Sequence, residues 1–143
     1  MKKITLFAIL FVSFVAHASK TADIRSEVQT CTGETAIGSL GMRECVAKGR
    51  EKADTLLEKT LADVRAISQK TISDVKSSKD DIVNAKETLK RLEASQTAWA
   101  DYRGKECSYQ ATDALGGFDE ILIDRGCQLE MILLRVEALG GGK

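Results

Sequence analysis

Apolar residues recur through most of this chain at steps of three and four, the spacing of helices that bury one face. The longest run is Met42, Cys45, Gly49, Ala53, Leu56, Leu57, Leu61, Val64, Ile67 and Ile72, which predicts one amphipathic helix over about 40–76. Ser77 and Ser78 break the run, and Ser78 with Asp81 three places on has the form of a helix start. The next helix, over about 79–110, sets Ile82, Ala85, Leu89, Leu92, Gln96, Trp99 and Arg103 on one stripe. Leu115-Gly116-Gly117 marks a turn. A last helix near 118–139 then buries Phe118, Ile121, Leu122, Leu129, Ile132, Leu133, Val136 and Leu139. A short helix over 20–30 and a glycine-bearing loop from Cys31 to Leu40 precede all of these. The chain has no proline, and no internal repeat or linker divides it. The predicted fold is all-α: one small helical bundle over 19–139, built on a long helical hairpin, with an unstructured tail at 140–143.

The N-terminus sets the compartment. Lys2 and Lys3 precede an apolar stretch from Ile4 to Val15, which is too short to span a bilayer as a mature helix. Ala16-His17-Ala18 follows with the small-x-small form of a cleavage site, so residues 1–18 read as a cleaved signal peptide. No cysteine follows the cut directly, so no lipid anchor is expected. The mature protein is therefore expected in the periplasm or outside the cell, with no membrane attachment.

Export changes how the cysteines are read. Cys31, Cys45, Cys107 and Cys127 form an even set in an oxidising compartment, which favours two disulfides over free thiols. Three connectivities are possible. The midpoint of Cys31 and Cys45 is Gly38, inside the run from Gly33 to Gly41, and the midpoint of Cys107 and Cys127 is Gly117. A bridge across a turn between two helices should straddle the turn evenly, so the pairs Cys31–Cys45 and Cys107–Cys127 are expected. Each should stabilise the fold by about 3 kcal/mol through loop-closure entropy. No Cys-x-x-Cys spacing suggests zinc.

Charge and composition mainly exclude functions. The whole chain has formal charge zero. The cut removes two lysines and leaves about 125 residues near charge −2, enough for one core but without the basic face of a nucleic-acid binder. His17, the single histidine, leaves with the leader. The mature chain then has no histidine for a catalytic triad, a general base or a metal site. Neither a cofactor nor a metal is expected, and the carboxylates have the distribution of solvated helix faces. The reading is of a binding protein, not an enzyme.

Gln96 and Arg103 are polar interruptions of an apolar stripe. If the two long helices fold back about residue 78, position 103 lies opposite position 53, and Leu57 lies opposite Trp99. Asp54 then comes within reach of Arg103, so an ion pair inside or beside the core is expected, with Tyr102 in the same polar layer; the alternative is that Tyr102 and Arg103 form a recognition surface with Gln96. The pair's expected role is to set register, because such pairs add little net stability but are costly to half-remove.

These residues carry a resemblance. Gln96-x-x-Trp99-x-x-Tyr102-Arg103-x-x-x-Cys107 resembles the central signature of the LprI-like lysozyme-inhibitor family. Met42-x-x-Cys45 followed by Ala53-Asp54 and Leu57 resembles that family's first motif. Gly116-Gly117 with Cys127-x-x-x-Met131-x-x-x-Arg135-x-x-x-Leu139 resembles its last. The likeness spans residues 31–139, with departures at Glu58, Leu61, Phe118 and Ile132. It implies a periplasmic or surface protein that shields peptidoglycan by binding a lysozyme or another peptidoglycan hydrolase. The alternatives are an immunity or stress protein for another envelope toxin and a structural or chaperone-like helical protein. A muramidase cleft is concave and carries two catalytic carboxylates, so blocking it needs a protruding element. The Thr32–Gly41 loop and the Gln110–Asp119 turn are the candidates, and Asp113 and Asp119 in the second would meet a cationic rim.

Overall fold

The computed structural model describes residues 19–35 and 38–141. The expected leader, residues 1–18, lies outside the described residues, as do Gly142 and Lys143 of the expected tail. Four α-helices are described: α1 over 19–30, α2 Gly38–Ser73, α3 Lys79–Gln110 and α4 Phe118–Gly141. A π-helical turn, Cys31–Thr35, follows α1, and a 3-10 turn, Thr112–Ala114, precedes α4. The fold is all-α, with a long helical hairpin and two disulfides. Near the C-terminus, α4 continues through Gly140 to Gly141, where the tail was expected to begin. Glycine costs about 1 kcal/mol in a helix, but neither proline nor a left-handed glycine stops the helix there.

Local chemistry places the helix ends. At the start of α3, Ser78 Oγ accepts from the Asp81 amide at 3.1 Å, and the Asp81 carboxylate accepts from the Ser78 amide at 3.2 Å. This reciprocal capping box satisfies two amides that the first turn leaves open. Before α4, Gly116 takes φ +73°, a left-handed backbone that suits glycine, and its amide donates to Glu120 Oε2 at 2.8 Å.

Contacts between the helices give an up-down-up-down path. Lys52 pairs with Glu27, Arg65 with Glu93 at 2.7 Å, and Arg135 with Gln96 at 3.1 Å, so successive helices run antiparallel. The most extensive packing is between the parallel helices α2 and α4. Leu129, Ile132, Leu133 and Val136 of α4 meet Val46, Ala53, Leu57 and Leu61 of α2 in the core. On α4 this apolar stripe is flanked by Glu130 and Glu137, which meet α1, and by Arg135, which meets α3. Helices α1 and α3 therefore lie on either side of the α2–α4 pair.

Two devices seat α1. Arg25 reaches Glu130 at 2.7 Å and Glu137 at 2.6 Å, and Thr21 Oγ1 donates to Glu137 at 2.7 Å. The bond from Arg25 holds the Glu137 carboxyl below its ordinary range. Farther along, α1 approaches α2 at Gly49, where any Cβ would overlap Val28 Cγ2. The disulfide Cys31–Cys45 then ties the end of α1 to α2, with Cα atoms 5.7 Å apart. Cys107–Cys127 does the same for α3 and α4 at 5.4 Å.

Two residues assigned to the buried faces turn outward. Ile67 is 53% exposed, because the buried row of α2 continues from Leu61 through the half-buried Val64 to Ser68. At 100° per residue Ile67 lies well round from that row. Ile121 is 40% exposed for the same reason, with its neighbour Leu122 packed on the core instead. The side chain of Phe118 lies outside the described set.

Candidate functional site

The signature residues of α3 assemble around Trp99. The indole is half-buried against the core, with the Arg103 guanidinium 4.9 Å from its ring centroid. Arg135, reaching across from α4, lies 5.7 Å from the same ring. Its Nε donates to Gln96 Oε1 at 3.1 Å and its Nη2 to Ser95 Oγ at 3.0 Å. Arg103 Nη1 lies 3.7 Å from Asp54 Oδ1, and Arg50 lies 3.6 Å from the same carboxylate. Folding the chain about residue 78 thus brings together Asp54 and Arg103, Gln96 and Trp99, and α4 adds Arg135.

Burial sets the electrostatics of this layer. Desolvation lowers the Arg103 pKa, Asp54 opposes that shift, and the nearby Arg50 adds to it. Desolvation also lowers the Arg135 pKa. Guanidinium remains cationic at any physiological pH even so. The layer therefore offers fixed positive charge on an aromatic face, which can hold three helices in register.

The Asp54–Arg103 contact has a direct test. Asp54→Arg should destabilise the protein by about 1 kcal/mol, since it sets a third cation beside Arg50 and Arg103 at a half-exposed position. The double variant Asp54→Arg/Arg103→Asp should regain part of that loss in urea denaturation. Strict additivity of the two single effects would refute the pairing.

Tyr102, expected in this layer, is 55% exposed on another side of α3. It follows Trp99 by three residues and precedes Arg103 by one, and a helix turns it about 100° away from Arg103. Tyr109 shares its stripe and is 74% exposed. Leu115, in the turn beyond, is 68% exposed, and Asp113 and Asp119 are exposed beside it. Sequence reasoning had named Leu115 only as part of a turn and had not singled out Tyr109. The available signal was the seven-residue spacing of the two tyrosines on the polar side of the α3 stripe.

Both predicted loops lie at the same end of the bundle, where α1 and α3 finish and α2 and α4 begin. Of the first, residues 36 and 37 lie outside the described set, Cys31–Thr35 is a π-helical turn, and α2 already starts at Gly38 and absorbs Ser39 to Gly41. Among the described residues, all four cysteines are in bridges and no group of three or more acids, cysteines or histidines is placed to hold a metal. No described helix is long and apolar enough to cross a membrane.

Residues 31–139 match the sequence model of a family described as lysozyme inhibitor LprI. No curated protein and no solved structure matches the chain.

Proposed function

The chain belongs to the LprI lysozyme-inhibitor family, and on that premise we propose that it is an exported binding protein that protects peptidoglycan by occupying a muramidase. The observation that carries this reading is the extent of the match, which runs from Cys31 in the first bridge to Leu139 at the end of the core. It includes both disulfides, the Trp99 layer and the turn between α3 and α4.

Two further features support it. The leader-like N-terminus would deliver the protein to the compartment where peptidoglycan is attacked and where its disulfides persist. The fold also presents turns held at their bases by covalent bridges, and pre-organised elements lose less entropy when they dock. In this reading the protein acts by steric occlusion and carries no catalytic group.

The test is a peptidoglycan-lysis assay with the oxidised protein, purified from an exporting host and titrated against chicken-type and other muramidases. Saturable inhibition near one-to-one is expected. Lysis at the uninhibited rate across the panel would overturn the reading while leaving the fold untouched.

A further inference from the structure

We propose that Tyr102, Tyr109 and Leu115 form the anchor of the docking surface, and that the partner it fits is a muramidase with a basic face. This rests on the function proposed above and adds the surface and the partner's charge.

The first observation is aromatic placement. The chain has two tyrosines, and both stand exposed on one stripe of α3, 55% for Tyr102 and 74% for Tyr109. Tyrosine brings a large rigid contact area with few rotors to freeze, and it is enriched where binding energy concentrates. Leu115, 68% exposed, stands in the turn that follows α3.

The second observation is rigidity. Cys107, fully buried and placed between Tyr102 and Tyr109 in the chain, is bridged to Cys127 and so fixes the end of α3 against α4. The Gly116 amide bonded to Glu120 holds the turn that carries Leu115. The anchor residues therefore sit on a braced corner of the bundle.

The third is charge. From Glu106 to Asp124 the chain carries five acids and no lysine, arginine or histidine. Elsewhere many of the acids have cationic partners, as in Arg25 with Glu130 and Glu137, Arg65 with Glu93, and Lys105 with Asp101. Among the described residues, none of those five acids makes an ion pair. Arg103 and Lys105, which lie between the tyrosines in the chain, are paired to Asp54 and Asp101, so the corner is left with an excess of acids. An apolar anchor on a net acidic surface selects a cationic protein. It disfavours a second copy of this chain, which would oppose like charges, and an anionic membrane surface for the same reason.

The experiment measures the binding kinetics of the oxidised protein to a basic chicken-type muramidase, beside the lysis assay. Tyr102→Ala and Tyr109→Ala should each weaken binding at least tenfold, mainly through faster dissociation. Asp113→Lys with Asp119→Lys should slow association several-fold and flatten its dependence on salt. Lys48→Ala with Lys52→Ala, on the α1–α2 side, should bind as the parent does. Unchanged melting temperatures in all variants would separate these effects from unfolding. If the parent inhibits and both tyrosine variants bind within twofold of it, the surface is overturned and the inhibitor function stands. If the parent neither binds nor inhibits, both are overturned.

Discussion

Replacing Cys107 and Cys127 together by alanine should lower the stability of the oxidised protein by about 3 kcal/mol, the loop-closure value for a bridge of this span. For a chain of this size that corresponds to a fall in melting temperature of about 10–15 °C. The bridge lies where α3 most needs it. Ala85 and Cys107 are the two buried residues of α3, whose other core contacts, such as Leu92 and Trp99, are half-buried. Without the covalent link, the upper part of α3 would be held to α4 mainly by the Trp99 layer and by packing of Met131 near Cys107. Removing Cys31–Cys45 opens a loop of similar length but leaves α1 seated by Arg25, Thr21 and the Gly49 approach. That variant should therefore lose amide protection in α1 first, while the other loses it at the junction of α3 and α4. Thermal melts and hydrogen exchange read both outcomes. A loss below about 1 kcal/mol for the Cys107/Cys127 variant would contradict the loop-closure argument.

Trp99→Ala should cost about 3 kcal/mol, the lower end for truncating a large aromatic because the indole is only half-buried. Two effects combine. The core loses an aromatic wedge between α3 and the α2–α4 pair. Arg103 and Arg135 also lose the π face that each approaches, a contact worth about 0.5–1 kcal/mol per arginine at partly exposed sites. The two guanidiniums are then left facing a cavity across which they repel. Trp99→Phe keeps an aromatic face and should cost roughly half as much. Arg135→Met should be less damaging in the Trp99→Ala background than in the parent, and a double-mutant cycle should show coupling of about 0.5–1 kcal/mol. Additive losses would mean that the indole and the arginines act independently.

How far sequence reading reached depended on whether the determinant was local. Ser78 and Asp81 announced the start of α3 because a capping box is a four-residue device. The bridges could be paired because each straddles a turn, and the Asp54–Arg103 contact could be placed because an antiparallel hairpin fixes its register once its turn is known. Ile67 and Ile121 were misassigned because steps of three and four admit neighbouring positions, and only packing decides which one drifts off the buried row. Tyr102 was misplaced because adjacency in sequence to Arg103 is not adjacency on a helix. The Arg135–Trp99 contact was not visible at all, since no spacing rule relates two helices joined through a turn of unknown geometry.

Both bridges join cysteines that are consecutive in the chain. An oxidant that meets the polypeptide from its N-terminus can couple Cys31 to Cys45 long before Cys107 arrives, and then finds only one partner for Cys127. Pairing in order of appearance gives the native set, so no wrong crosslink has to be undone by the slow exchange of thiol with disulfide. If the chain is exported N-terminus first, as proposed, its maturation should depend on a thiol oxidase and not on a disulfide isomerase.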